Sequence, residues 1–200
     1  MINKLVIGTN NPDKVIEIRE MLKETNFEIK TLKDLNVSIE VEEDRDTLEG
    51  NAIKKAEEMW AVVNFPCTAD DTGLFVDALD GAPGVYAARY AGEDVTYEDN
   101  RKKLLKELDG IPEEKRSAFF RTVVCYYYGK DKYELFDGIC KGRILTNERG
   151  EKGFGYDAVF LPDGSDRTFA ELSTEEKNLI SHRAKAFNKF KEYLLSKQSS

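Results

Sequence analysis

The sequence predicts a mixed α/β fold, and three features of its hydrophobic pattern indicate this class. Short apolar segments typical of strands alternate with helical segments in the first half of the chain. The region from 118 to 145 is rich in aromatic and β-branched residues, which favours long strands inside the sheet. A helical region then begins at Thr174. Two hundred residues suffice for one domain, or for two small lobes that share a core.

Each predicted element follows from its own pattern. A helix begins near Pro12, which suits a first helical turn, and Thr47 and Thr96 are good N-caps for the next two helices. The first predicted helix ends near Lys23. The other predicted helices cover residues 48–63, 96–108 and 174–195. The predicted strands cover residues 5–7, 27–32, 67–69, 118–128, 133–145 and 158–161, with a further extended piece at 168–172. We expect residues 1–195 to form the domain and 196–200 a frayed polar tail.

Composition excludes several classes of function. The 38 Asp and Glu residues outnumber the 30 Lys and Arg residues, and the formal net charge is −8 at pH 7. Proteins that bind DNA or RNA need a basic surface for the phosphates, so nucleic acid is not an expected partner. Cys67, Cys125 and Cys140 lack CxxC spacing, which favours reduced thiols over a disulfide framework or a zinc ribbon. His182 is the single histidine, which argues against a histidine triad or a zinc site.

The start of the chain predicts its compartment. Met1 is followed within a few residues by the first strand, without the pattern of a signal peptide, and no apolar run is long enough to cross a membrane. We therefore expect a cytoplasmic protein without a membrane partner.

The turn after the first strand is a candidate anion site. Thr9, Asn11 and Lys14 lie where a strand ends and a helix begins. Free N–H groups and the positive dipole end of a helix favour phosphate there, and the Lys14 ammonium could bind the same anion. The glycine pattern of a Walker A loop is absent. An ordinary helix cap beside a solvated lysine is the alternative interpretation.

Two adjacent carboxylates, Asp70 and Asp71, follow the predicted strand at 67–69. Burying both is unfavourable because like charges repel and lose their hydration, and a divalent cation removes that penalty. Carboxylate oxygens suit Mg²⁺ better than zinc. The acids are adjacent, unlike those of the phosphatase signature DxDx[TV]. A turn with an N-cap pair is the alternative.

Charged residues before and within the second helix could complete such a site. Glu43 lies in an acidic segment, and Lys55 lies on the helix that follows it. One acid could bind a metal and one lysine could reach a phosphate. A solvated loop and a charged helix face are the alternative.

Two later segments also attract attention, and the first of them could hold a flat ligand. Gly153 and Gly155 flank Phe154, so the backbone can approach a ligand closely while the ring offers a stacking face. Lys177 and the segment 181–183 (Ser-His-Arg) lie in the last helical region. A bulged strand start and a helix-capping segment are the respective alternatives.

These segments, in this order, closely resemble the inosine/xanthosine triphosphate pyrophosphatase family. The resemblance covers nearly the whole chain, from Leu5 to about Leu194. The most specific matches are 69–74 (ADDTGL), 81–89 (GAPGVYAAR), 153–157 (GFGYD) and 181–183 (SHR). The resemblance implies an elongated mixed α/β structure with flanking helices and two lobes around a central cleft, usually in a homodimer. It also implies Mg²⁺-dependent hydrolysis of ITP, dITP and XTP to the monophosphate and pyrophosphate, which cleanses the nucleotide pool.

The resemblance also assigns roles to individual residues. It implies that the triphosphate is bound by Thr9, Asn11 and Lys14, with Lys55 and Thr72 as further substrate contacts. It implies that Glu43 and Asp71 bind the metal, that Asp71 is the proton acceptor and that Asp70 is a supporting catalytic acid. The base and phosphates would be held by Phe154, Gly155, Tyr156, Asp157, Lys177, His182 and Arg183. Donors from His182 and Arg183 would suit the 6-keto group of hypoxanthine and xanthine, where adenine has an amino group.

The chain departs from the family pattern at a few positions near these motifs. The departures are Asn10, Gly50, Lys152 and Ala158, where glycine, glutamate, glycine and proline are common. None removes an assigned catalytic group. Two other functions are the alternatives: a nucleotide-binding or sensing module without turnover, and a pyrophosphatase for modified pyrimidine triphosphates.

Overall fold

The computed structural model describes residues 3–9 and 11–198 and confirms the mixed α/β class. Its helices are α1 (Pro12–Leu22), α2 (Leu48–Val63), α3 (Tyr97–Glu107), α4 (Thr174–Ile180) and α5 (His182–Gln198). Its strands are β1 (Asn3–Ile7), β2 (Phe27–Thr31), β3 (Cys67–Val76), β4 (Pro83–Gly84), β5 (Ser117–Gly129), β6 (Lys132–Ile144) and β7 (Phe160–Pro162).

Within the described residues, seven strands form one mixed sheet. Six follow the order β2-β1-β3-β5-β6-β7, and β4 pairs with β3 outside that row. β1 is parallel to both of its neighbours, with Leu5 opposite Ile29 of β2 and Val6 opposite Cys67 of β3. β4 is antiparallel to β3, and β7 is antiparallel to β6. Parallel and antiparallel pairs thus coexist, as the pattern of elements predicts.

The chain divides into two compact units. Unit 1 contains the described residues up to Asp71, residues 122–138 and those from Arg183 onward. Unit 2 contains Thr72–Arg121 and Ile139–His182. That residues 1–195 form a single domain stays a prediction.

Each unit has a hydrophobic core of its own. The core of unit 1 combines apolar side chains of β1, α1, β5 and α5, among them Leu5, Ile7, Ile18, Leu22, Val124, Phe187 and Phe190. The core of unit 2 is centred on aromatic rings. Phe160 lies 4.7 Å from Phe120 and 5.1 Å from Phe169 between ring centroids, distances typical of favourable aromatic pairs.

The structure differs from the prediction in two extended segments. The strand expected to end before Asp70 continues to Val76, so both acids lie inside β3. Leu74 and Val76 are fully buried, and their burial favours continuing the strand. The piece expected to be extended at 168–172 instead contains a 3₁₀ turn, Phe169–Glu171, that begins with a capping box between Thr168 and Glu171.

The C-terminal helical region is interrupted and is longer than predicted. Ser181 adopts an extended conformation and separates α4 from α5. α5 continues to Gln198, beyond the predicted end at 195. The frayed tail at 196–200 stays a prediction, and residues 199 and 200 lie outside the described part of the chain. Among the helices of the described ranges, none combines the length and apolar character needed to cross a bilayer.

Replacing Gly142 of β6 by alanine is expected to lower the free energy of unfolding by roughly 1–3 kcal/mol. A Cβ atom there would lie 2.3 Å from the carbonyl oxygen of Leu161 and 2.9 Å from the Cα atom of Pro162 in β7. Chemical unfolding monitored by circular dichroism measures the change. Gly129→Ala is the control, because its Cβ atom would lie 3.4 Å from the Lys132 side chain, an ordinary contact. Equal stability of the two variants would contradict the expected overlap.

Candidate functional site

The turn before α1 is closed by its own side chains. Asn11 is the N-cap, and its Oδ1 accepts hydrogen bonds from the backbone N–H groups of Asp13 (2.9 Å) and Lys14 (3.3 Å). Thr9 Oγ1 accepts one from Asn11 N at 3.1 Å. The expectation of free N–H groups at this helix start is therefore wrong for Asp13 and Lys14, because a capping side chain satisfies them. The departure at Asn10 lies outside the described residues.

Asp70 is a buried carboxylate held by cations from two helices. Lys14 Nζ lies 3.1 Å from Asp70 Oδ2, and Arg183 Nε lies 3.5 Å from the same oxygen. Burial alone would raise the pKa of Asp70, but the charges of Lys14 and Arg183 bring it well below its usual range. Burial also lowers the pKa of Lys14, which Asp70 partly opposes. Asp70 is thus a permanent anion that fixes both cations.

Arg183 joins α5 to α1 through a carboxylate that the sequence analysis missed. Its Nη1 lies 2.9 Å from Glu17 Oε2, and both side chains are almost fully buried. The signal that could have found Glu17 is its place on α1, one turn after Lys14 and beside the core residue Ile18. Arg183 is therefore bound to carboxylates of unit 1, and its expected contact with the base stays a prediction.

Glu43 and Asp71 converge on one cation, the ammonium group of Lys55. Lys55 Nζ lies 3.0 Å from Glu43 Oε1, 3.0 Å from Asp71 Oδ1 and 2.7 Å from the carbonyl oxygen of Asp70. Asn51, a buried α2 residue that the sequence analysis did not single out, donates to Asp71 Oδ2 at 3.1 Å. Burial raises the pKa of Asp71, an effect that Lys55 opposes and Glu43 adds to. Burial lowers the pKa of Lys55, but the two carboxylates outweigh it and leave it raised.

This pair of carboxylates fits a hard divalent cation. Glu43 Oε1 and Asp71 Oδ1 each lie 3.0 Å from the Lys55 nitrogen, so both carboxylates face the same position. Oxygen donors are those that Mg²⁺ prefers. No cluster of three or more potential metal ligands from His, Cys, Asp and Glu occurs among the described residues. Two protein carboxylates suit Mg²⁺, which commonly keeps waters or phosphate oxygens for its other positions.

A cavity of about 220 Å³ in unit 1 brings several predicted residues together. Its polar lining residues are Thr9, Lys14, Glu40, Glu43, Lys55 and Asp70, and its apolar ones include Leu32, Ile39, Val41 and Met59. These polar residues come from the β1–α1 turn, the segment before α2, α2 itself and β3. The topology thus places residues that are far apart in sequence around one small space.

A second group of predicted residues forms a fixed loop in unit 2. Asp157 Oδ2 accepts from the backbone N–H of Phe154 (2.9 Å) and from Lys177 Nζ (2.8 Å). Lys177 Nζ lies 4.7 Å from the centroid of the Phe154 ring, within the range of a cation–π contact. Asp157 and Lys177 are buried. The buried ion pair between Asp157 and Lys177 therefore fixes the position of the more exposed loop residues beside it.

The other predicted residues of unit 2 lie in its interior or on β3. The Tyr156 hydroxyl donates to the carbonyl of Ala87 at 2.8 Å and belongs to the core. His182 is buried and stacks on Phe120, with ring centroids 4.5 Å apart. Thr72 is half-buried in β3. A further missed residue is Arg101, whose Nη1 donates to the carbonyl of Gly155 at 2.9 Å.

Comparison with known proteins identifies the family. The model of the Ham1 family matches residues 5–193. The dITP/XTP pyrophosphatase of Thermoanaerobacter sp. (strain X514) is 49% identical over 97% of this chain and 98% of its own, and that of Bacillus subtilis (strain 168) is 42% identical over 97% and 98%. Two solved structures share the fold. The Staphylococcus aureus Ham1 protein has a TM-score of 0.86 and 36% identity over 98% of this chain and 100% of its own. A HAM1 protein from Coxiella burnetii has a TM-score of 0.88 and 33% identity, covering 97% and 99%. These matches confirm the resemblance drawn from the sequence motifs, and the chain belongs to the Ham1 family.

Proposed function

We propose that this protein hydrolyses the non-standard purine nucleoside triphosphates ITP, dITP and XTP to the monophosphate and pyrophosphate. The observation that carries the proposal is the convergence of Glu43 and Asp71 on a single cation beside Lys14 and Asp70. Relatives with 42% to 49% identity are dITP/XTP pyrophosphatases. Both observations favour turnover over simple binding, because a module that only binds nucleotide does not need two carboxylates around one cation.

The charges of unit 1 explain why a divalent cation belongs to this proposal. The cations Lys14, Lys55 and Arg183 are paired with the carboxylates Glu17, Glu43, Asp70 and Asp71. With all of them ionised, this group has one more negative than positive charge, while a triphosphate carries about four negative charges. An additional cation is therefore needed to bind the anion. Glu43 and Asp71 would hold Mg²⁺, which when bound offsets phosphate charge and lowers the pKa of a bound water.

The chain's own residues divide the remaining tasks. Lys55 and Lys14 donate to phosphate oxygens, with Thr9, Asn11 and Thr72 as further contacts. Asp71 accepts the proton of the water that attacks the α-phosphorus, as the carboxylate held in place by Lys55 and Asn51 beside Glu43. Asn51 orients it through Oδ2. Asp70 supports the site by fixing Lys14.

The residues assigned to the base are those that the family resemblance implies. Phe154 supplies a stacking face, and Asp157 and Lys177 hold the loop that carries it. Gly155, Tyr156, His182 and Arg183 complete the set. The hydroxyl of Tyr156 is already bound to Ala87, so its contribution is to support the loop. A cytoplasmic homodimer that acts on free nucleotides is part of the proposal.

A nucleotide panel tests the reaction. With Mg²⁺ present, ITP, dITP and XTP are expected to yield the monophosphate and pyrophosphate, with little turnover of ATP or GTP. Separate assays for pyrophosphate and orthophosphate identify the bond that breaks. Release of orthophosphate alone would exclude attack at the α-phosphorus. Binding of ITP without product would favour the sensing module, and preferred turnover of modified pyrimidine triphosphates would favour the other alternative.

Asp71→Asn is expected to lose nearly all turnover, by about 10²-fold or more, and still bind ITP, because the amide cannot accept the proton. Steady-state kinetics and equilibrium binding measure the two effects separately. Asp94→Asn is the matched control. Asp94 is exposed and has a positive φ of 54°, a conformation that asparagine also adopts. Substantial turnover by the Asp71 variant would remove that residue from the role of base.

Lys55→Met is expected to destabilise the protein without Mg²⁺ and to increase the stabilisation that Mg²⁺ alone provides. Glu43 and Asp71 then face each other without their ammonium partner, which costs roughly 3–5 kcal/mol for a buried pair. Thermal unfolding with and without MgCl₂ measures both effects. Lys54→Met is the control, because Lys54 precedes Lys55 on α2 but pairs with the more exposed Asp44. The same Mg²⁺ effect in wild type and in the Lys55 variant would show that the ammonium and the metal do not share this place.

A further inference from the structure

One face of α3 packs against the glycine loop of unit 2. Tyr97 and Arg101 lie one helical turn apart on this helix, on the same side. The Tyr97 ring centroid lies 6.1 Å from that of Phe154, and Arg101 Nη1 donates to the carbonyl of Gly155 at 2.9 Å. Arg101 Nε lies 3.0 Å from Glu148 Oε1. The loop residues Phe154 and Gly155 are therefore contacted by two residues on the same side of α3.

The backbone of this loop needs such support. Gly153 and Gly155 have positive φ angles of 73° and 61°, which glycine adopts readily and which leave the segment little conformational preference of its own. A Cβ atom at Gly155 would have no heavy atom of another residue within 4 Å, so packing does not fix that side of the backbone. Asp157 holds the loop at the N–H of Phe154, and Arg101 holds it one residue later.

The Arg101 guanidinium is itself pre-organised. Its side chain is 17% exposed and is paired with Glu148, which is 38% exposed. The residues Tyr97, Arg101, Glu148, Phe154 and Gly155 line one cavity of about 180 Å³ in unit 2. The Glu148 carboxylate attracts the guanidinium as an ion pair, without a hydrogen bond at Nε. The guanidinium donates to a neutral carbonyl, and its charge strengthens that hydrogen bond.

We propose that Arg101 is a positioning residue for nucleotide binding: it holds the Gly155 carbonyl and thereby fixes the Phe154 ring before the nucleotide arrives. Glu148 supports it by orienting the guanidinium. This inference rests on the proposed function, in which the base lies against Phe154. A residue that acts in this way changes the affinity for nucleotide and leaves the chemical step nearly unchanged, because preorganisation lowers the entropy lost on binding.

The experiment compares Arg101→Met, Arg101→Lys and Glu148→Gln with wild type. Arg143→Met is the control, because Arg143 also pairs with a glutamate of unit 2, Glu113, at 3.2 Å. Pyrophosphate release from ITP gives KM and kcat. Hydrogen exchange of the peptide 150–158 without nucleotide reports loop order independently of any activity.

For Arg101→Met we expect KM to rise about tenfold with kcat within about twofold, corresponding to one charge-assisted hydrogen bond. Exchange of the loop amides should become faster. Arg101→Lys should recover part of both effects, and Glu148→Gln should give a smaller change in the same direction. The Arg143 variant should match wild type in both measurements.

The outcomes separate this inference from the proposed function. If wild type hydrolyses ITP and the variants at 101 and 148 have unchanged KM values or unchanged loop exchange, the positioning role is overturned and the function stands. A fall in kcat at constant KM also overturns it. If wild type releases no pyrophosphate from ITP, the proposed function fails. Loop exchange then decides by itself whether Arg101 orders the loop.

Discussion

The structure of unit 1 depends on compensating two adjacent carboxylates inside β3. Successive side chains of a strand point to opposite faces, so the carboxylates of Asp70 and Asp71 have different ion-pair partners. Asp70 is paired with Lys14 and Arg183, whereas Asp71 is paired with Lys55. These three cations come from α1, α5 and α2 respectively. The need to neutralise both faces of one strand thus ties three helices to the sheet, in addition to their apolar packing.

The two faces leave the two acids with different acid–base properties. The pKa of Asp70 is lowered because two cations outweigh its burial, whereas the pKa of Asp71 is raised because burial and the neighbouring Glu43 outweigh Lys55. Environments that drive the pKa values of a carboxylate pair apart are typical of sites that divide acid–base tasks. In the proposed mechanism, these environments correspond to Asp70 as an electrostatic anchor and Asp71 as the proton acceptor.

Much of this arrangement could be predicted from local sequence, and the rest required long-range contacts. The β1–α1 turn, α2 and the acid pair have local signals, because periodicity and capping depend on near neighbours. The extent of β3 was missed because Asp70 and Asp71 resemble a turn until their cations are known. Glu17 was missed for the same reason: its partner Arg183 is 166 residues away in the chain. An acid on an apolar helix face indicates that a cation lies nearby, but the sequence does not show which residue supplies it.

The loop of unit 2 is also held by charge compensation, here around a single buried carboxylate. Asp157 satisfies a backbone N–H and an ammonium group at once, so the Phe154 backbone and Lys177 are fixed by one buried carboxylate. Selection between a keto and an amino group requires donors whose positions do not adjust, since a mobile donor can turn away from a mismatched group and avoid the penalty of an unpaired polar atom. Holding a glycine-containing backbone with a buried ion pair is therefore a way to combine close approach to a flat ligand with the rigidity that discrimination needs.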